Sequence, residues 1–364
     1  MTDTPPSPQR RRVLGALASL PILGRAGPLS AAPMAFAAPR PEDQVRFPDG
    51  ATILVAGPSG GRMAQWARTV RPALAQSLAP GLNIHQHDVG GPDGVTGANQ
   101  FDVRVTPDGR TVLLTPGDAV TAWLVGDPRA KFDVAHWVSV MACTTPAVVV
   151  GRPAAFASAG VIRVAAATPA GPNLPALLGI EMLGQRAQLV HVFEDERSLR
   201  DAFARNAVDG ILLRGHRVPQ RARTLAVVGA VPLFSLGAID GMGRLVRCPT
   251  FPDLPNYPEF HAMHRGTAPG GPLFDAWRAA AIAAQLEFNM VLLPVTPADM
   301  VALWRQVGLD AAGALDVQAM AHSLAVRPLG GPEATATTSA VATNGAALTS
   351  LRRWLAERYN WHPV

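Results

Sequence analysis

Behind an N-terminal leader, the stretch Ala51 to Ala67, ATILVAGPSGGRMAQWA, joins a strand pattern to a helix pattern through a glycine-rich turn. Thr52-Ile53-Leu54-Val55-Ala56 is a short β-branched and aliphatic run, the signature of a buried strand. Gly57-Pro58-Ser59-Gly60-Gly61 breaks it, and from Arg62 onward Met63, Trp66, Ala67 and Val70 share one side of a helix. A turn of this kind aims free backbone N–H groups and the positive end of a helix dipole at one point, which makes a seat for an anion. The same residues also suit a tight βα turn that binds nothing.

Strand-like and helix-like runs continue to alternate, which implies βαβ units and mainly parallel sheets. Thr111 to Leu114 reads as a strand opening into Thr115-Pro116-Gly117-Asp118, and Val138 to Val150 is a long apolar run able to cross between two domains. Val161 to Ala167 reads as a strand, Thr168 to Asn173 as a loop, Leu174 to Leu183 as a helix, and Thr224 to Val228 as a further strand. Pro272 to Gln285 is a helix, Leu286 to Leu293 a strand, and Thr296 to Val307 a helix with Thr as its cap. Gly330 to Asn344 is small and polar and reads as a mobile loop before a last basic amphipathic helix, Ala347 to Arg358.

The leader itself has the organisation of an export signal. Arg10-Arg11-Arg12 precedes an apolar stretch, Val13 to Leu23, and Ala35-Phe36-Ala37 offers a cleavage site. The paired arginines followed by Val13-Leu14 also look like a twin-arginine signal, with Gln9 in place of the usual Ser or Thr. Eleven apolar residues are too few to span a bilayer, so residues 1–37 read as a removed signal and the product as soluble and periplasmic. The formal charge of +5 loses four arginines and one acid (Asp3) with the signal, which leaves +2. With Lys131 the only lysine, no basic block remains to argue for nucleic acid. Cys143 and Cys248 are too few for a disulfide framework; they either pair in an oxidising compartment or stay as separate buried thiols.

Four landmarks in order carry a resemblance to a known family. They are Ile53 to Gly61, Gly90-Gly91-Pro92-Asp93-Gly94-Val95-Thr96-Gly97-Ala98, Thr106 to Leu114 with its Pro-Asp-Gly, and Phe251-Pro252-Asp253-Leu254-Pro255, which follows the stretch Arg223 to Val228. From about Phe47 to Trp361 the chain resembles the Bug or TctC solute-binding proteins of tripartite tricarboxylate transporters. The resemblance implies an α/β, two-domain periplasmic binding protein fold of the Venus-flytrap type, with crossing hinge strands. Domain 1 would be 47–144 with 253–364, including an inserted helix 272–285 and a mobile loop 330–344, and domain 2 would be 145–252. It also implies a small carboxylate ligand, membrane permease subunits as partners, a monomer, no cofactor, and hinge closure as the mechanism. Several positions depart from the family: Arg62-Met63-Ala64 replaces an early acid, Glu194-Asp195-Glu196 a Tyr-Lys-Gly, and Leu213-Arg214 an Asp-Asn.

The candidate ligand contacts are therefore three turns that follow strands, where an open α/β sheet presents its crevice. They comprise Ser59, Gly60, Gly61 and Arg62; Thr115 and Gly117; and Thr168, Ala170, Gly171 and Asn173, with Arg214 at the end of its strand. Backbone N–H groups and hydroxyls there suit a carboxylate, and the two arginines either add charge or are solvated surface residues. Gly57-Pro58-Ser59-Gly60-Gly61 also satisfies G-x-S-x-G, so a serine hydrolase is the rival. Pro58 and the lack of an acid and His in suitable order weigh against it. His85-Gln86-His87 places two imidazoles on one face without an evident third metal ligand. Asp102, Asp108 and Asp118 lie beside turns and read as caps. A sensor or scaffold that no longer serves transport is a third class.

Overall fold

The computed structural model describes residue 47 and residues 49–158, 160–192, 195–215 and 217–362. The export signal read at 1–37 lies outside these residues, as do Phe193, Glu194 and His216. The chain opens with β1 (Ala51–Ala56), α1 (Arg62–Leu78), β2 (Ile84–Val89), α2 (Val95–Arg104), β3 (Thr111–Thr115), α3 (Gly117–Val125) and β4 (Val138–Thr144). β5 (Ala147–Gly151), α4 (Pro153–Ala157), β6 (Val161–Ala165), α5 (Leu174–Met182), β7 (Arg186–Val190), α6 (Glu196–Ala204), β8 (Gly210–Arg214), α7 (Val218–Ala226) and β9 (Val231–Ser235) follow. A small hairpin, β10 (Ala238–Ile239) and β11 (Leu245–Val246), precedes α8 (Tyr257–Arg265) and α9 (Pro272–Gln285). The last elements are β12 (Leu286–Leu292), α10 (Ala298–Gly313), α11 (Leu315–Leu324), β13 (Arg327–Gly330), α12 (Gly331–Val341) and α13 (Gly345–Tyr359).

Two sheets result, β13-β4-β12-β3-β1-β2 and β7-β6-β8-β5-β9. The arrangement is α/β with two lobes, one around each sheet, as the resemblance implies. The apolar run Val138 to Val150 crosses between the lobes, as β4 belongs to the six-stranded sheet and β5 to the five-stranded one. The break falls at Thr145-Pro146, where proline offers no ladder N–H and holds the preceding residue extended. The expectation of mainly parallel sheets needs correcting. β1, β2 and β3 run parallel, as do β6, β7 and β8, but β12 is antiparallel to β3 and β4, and β5 to β8 and β9. Strands that cross between lobes enter each sheet from the far side, so they pair antiparallel.

Three local expectations also fail. Thr224 to Val228 lies at the end of α7 rather than in a strand; Val218, Ala222 and Leu225 are buried at i, i+4 and i+7, with Pro219 in the first turn. The strand there is β9, entered through Gly229. Gly330 to Asn344 is largely α12, not a loop. Its buried Ala334, Thr337, Thr338 and Val341 form one face, and Thr338 Oγ1 bonds to Ser139 Oγ at 3.1 Å and Asn289 Oδ1 at 3.0 Å. For Thr338 the polar side chain serves hydrogen bonding inside the fold, while the Thr337 hydroxyl is buried without a partner among the described residues. Thr296 does not cap its helix: its hydroxyl donates to the Leu293 carbonyl at 2.8 Å, and α10 begins behind Pro297.

The helix that looked like an insertion, α9, lies at the centre. Ala276, Trp277 and Ala279 through Gln285 are buried, a pattern of a helix covered nearly all round. It packs against α3 and α13 on one side and α5 on the other, so one apolar cluster runs from Leu54 and Leu113 through Trp277 to Leu177. Trp277 Nε1 donates to the Pro175 carbonyl at 2.9 Å, and the Tyr257 hydroxyl donates to the Gly179 carbonyl at 2.9 Å. Cys143 and Cys248 are separate, buried thiols, and burial pushes the Cys143 thiol well up. Among the described residues, no helix is long and apolar enough to cross a membrane.

Candidate functional site

The order β2-β1-β3 makes the chain leave β1 on one side and return on the other, so the crevice of this sheet opens at the carboxyl ends of β1 and β3. A cavity of about 360 Å³ lies there. Gly57, Pro58, Gly61, Arg62 and Met63 line it after β1, and Pro116, Gly117 and Asp118 after β3. Arg214 and Gly215 face them from the end of β8, while Thr145, Leu286 and Glu287 form the floor where the lobes cross.

Two helices begin at this cavity. α1 starts behind Gly61 and α3 behind Pro116, and neither has a side-chain cap. The Ala119 N–H returns to the Pro116 carbonyl at 3.2 Å, and the N–H groups before it in the 9-residue α3, with those that open the 17-residue α1, are left as donors at one place, both dipoles positive end first. Gly60 takes φ +77°, a conformation that favours glycine and lets the chain turn sharply into α1. Gly117 serves packing: a Cβ there would fall 2.0 Å from the Ala283 carbonyl oxygen, so α3 meets the end of α9 as closely as glycine allows.

The charges at the site are paired. Arg62 Nε donates to Glu287 Oε1, and Trp66 Nε1 donates to the same oxygen at 2.9 Å. Glu287 sits at a register shift between β12 and β4, and such bulges re-aim side chains out of the regular alternation. Its side chain is only 9% exposed, against 42% for Arg62. Arg214 Nη1 and Nη2 reach Asp118 Oδ1 at 3.4 and 3.3 Å, and Nη1 also reaches the Ala284 carbonyl at 3.4 Å. This second pair bridges the two lobes.

Of the residues expected at the site, Gly61, Arg62, Gly117 and Arg214 line this one cavity. Ser59 and Gly60 are exposed on the outer side of the turn, and Thr115 is fully buried just before the Pro116 corner, its hydroxyl unpartnered. Thr168, Ala170, Gly171 and Asn173 follow β6 and do not line the cavity. Thr168 Oγ1 accepts from the Ala170 N–H at 3.3 Å, and Asn173 is buried at the start of α5.

Sequence reasoning passed over Thr145, Leu286 and Glu287, and took Asp118 for a cap. A lone acid inside the apolar strand LEFNMVL was the available signal, since an unpaired charge is rarely tolerated in a covered strand. Asp108 does act as a turn residue, accepting from the Arg110 N–H at 2.9 Å, whereas Asp118 holds Arg214.

In the hydrolase motif the left-handed residue of the turn is Gly60 rather than Ser59, and among the described residues no His lines the cavity. His85 and His87 are exposed on β2. Among the described residues, no group of three His, Cys, Asp or Glu is placed to hold a metal ion.

Solved structures share this architecture. A TctC solute-binding protein from Polaromonas, crystallised without ligand, superposes with a TM-score of 0.61 at 14% identity, covering 85% of this chain and 98% of its own. The chain has the fold of a TctC solute-binding protein. MatC from Rhodopseudomonas palustris, solved with malate, is 18% identical, covers 84% and 99% of the two chains, and scores 0.49. The periplasmic binding protein BugD is 17% identical, covers 85% and 96%, and scores 0.45. Of these three, the Polaromonas protein overlaps over half of the fold by this measure and the other two fall below it. No protein-family model and no curated protein matches the chain.

Proposed function

We propose that this chain is an extracytoplasmic solute-binding protein that captures a small organic carboxylate between its lobes for a tripartite tricarboxylate-type transporter. One observation carries the reading: two uncapped helix N-termini, α1 and α3, converge on one cavity rimmed by Arg62 and Arg214. Orphan N–H groups and aligned dipoles bind a carboxylate without needing a free cation. The lobes in this reading are 47–144 with 253–364, and 145–252. A ligand touching both sides favours the closed state and shifts the hinge toward it.

The leader 1–37 is removed on export, the mature protein works in the periplasm as a monomer without cofactor, and permease subunits receive the ligand. We read Ser59 as part of the anion turn and not as a nucleophile, because Gly60 rather than Ser59 takes the left-handed conformation.

A thermal-shift screen against organic acids, amino acids and aromatic carboxylates tests this. A ligand at one hundred times its Kd raises native stability by about 2.7 kcal/mol. Small-angle scattering should show compaction with the same ligand. A screen in which no carboxylate raises the melting temperature sinks the reading. Esterase activity abolished by Ser59→Ala would instead identify a hydrolase.

A further inference from the structure

The cavity holds more negative charge than an anion seat requires. Among the described residues its two arginines are matched by two acids, Glu287 and Asp118, so these charged side chains cancel. Glu287 is the unusual one. Its strand neighbours Leu286 and Phe288 are buried, and its own carboxylate is nearly so. A carboxylate this far from water needs partners. Oε1 accepts from both Arg62 and Trp66, whereas Oε2 accepts no hydrogen bond among the described residues and stays accessible within the cavity. Beside it, the Thr145 hydroxyl is buried, unpartnered and part of the same lining.

We propose that this site selects a zwitterion: a carboxylate that also carries a protonated amine. The ligand ammonium donates to Glu287 Oε2, and its carboxylate takes the N–H groups opening α1 and α3. The Thr145 hydroxyl is left to bond either group. This rests on the carboxylate-binding reading above and narrows it. A dianion would face two carboxylates of its own sign and would have to displace Asp118 or Glu287 to reach an arginine. A zwitterion leaves both ion pairs intact and gives Glu287 the donor it lacks.

Isothermal titration of the purified protein with matched probes that differ by one ammonium tests the assignment. Suitable pairs are L-glutamate with glutarate, L-phenylalanine with 3-phenylpropionate, and L-leucine with 4-methylpentanoate. The amine-bearing member should bind about tenfold tighter or more, the scale of one charge-assisted hydrogen bond. Glu287→Gln keeps an acceptor for Trp66 and should bring that ratio to within about threefold. Asp118→Asn, on the exposed rim, should move the ratio the same way by less, and it guards against a folding defect in the first variant. Equal or tighter binding of the amine-free member, or a ratio unmoved in both variants, overturns the zwitterion and leaves the carboxylate reading standing. Absence of binding by every probe overturns the zwitterion, and the carboxylate reading falls with it when the wider thermal-shift screen is also negative.

Discussion

The two sides of the cleft are built from the same unit and used differently. β1-α1-β2 with β3 and β6-α5-β7 with β8 have matching order, so each sheet has its own crevice at the carboxyl ends of its central strands. On the six-stranded side, both turns open directly into helix N-termini at the cavity. On the five-stranded side, the Thr168 hydroxyl of the turn after β6 is spent on the Ala170 N–H, and among the described residues of its strands and turns Arg214 and Gly215 reach the cavity. Acid–arginine pairs divide in the same way. Arg163 grips Asp209 with Nε and Nη2 at 2.8 and 2.7 Å, inside the five-stranded lobe, whereas Arg214–Asp118 spans the cleft. A strand, a glycine turn and a helix make a possible anion seat; becoming one requires the helix end to be left open on shared space.

Removing a support from the six-stranded side should have the largest effect. Trp66 is fully buried, lies 5.1 Å from the Phe288 ring and donates to Glu287. Trp66→Ala should cost about 3–5 kcal/mol in denaturant unfolding and abolish ligand binding. A loss under about 1 kcal/mol would mean that this side is not the rigid one.

Gly117→Ala forces a methyl onto the Ala283 carbonyl and should cost about 1–3 kcal/mol by overpacking, read as a lowered denaturation midpoint.

Asp209→Asn tests the structural pair of the other lobe. Burial acts to raise the Asp209 carboxyl pKa, but the Arg163 side-chain and backbone bonds outweigh it and hold it below the usual range. A carboxyl depressed in the folded state adds stability above the unfolded value of about 3.9 and loses it as pH falls through the folded value. With Arg163 38% exposed, the loss near neutral pH should be about 1–2 kcal/mol. Melting curves of the two proteins should then converge as pH falls below 4.

The smallest effects belong to exposed or internally satisfied groups. Arg214→Ala should change stability by about 0–1 kcal/mol, as expected for a half-exposed pair. Thr168→Ala should alter ligand affinity by less than about 0.5 kcal/mol in titration. A larger affinity loss at Thr168 would mean that the β6 turn moves into the cleft on closure.

Much of the plan was legible in residue order. The run TILVA, the Gly-Gly turn and the helical spacing of Met63, Trp66 and Val70 mark β1, its turn and α1. The same holds for α9, foreseen with its observed limits, and for the apolar run Val138 to Val150, which becomes β4 in one sheet and β5 in the other. Elements were misread where packing outweighs local composition. α7 has strand-like valines at its end but a buried i, i+4, i+7 face, and α12 looks polar until Thr338 meets Ser139 and Asn289.

By itself, the sequence determined which segments are strands and helices wherever apolar periodicity was strong, and where glycine turns end strands. That is local information, carried by side-chain spacing and backbone freedom. The tertiary structure alone decided which of three similar turns shares a cavity, because that depends on how α9 and the crossing strands hold the lobes together. It also decided that Arg62 and Arg214 come with Glu287 and Asp118 as partners. Glu287 is 225 residues from Arg62 along the chain and Asp118 is 96 from Arg214, and only packing brings such distant charges within bonding reach.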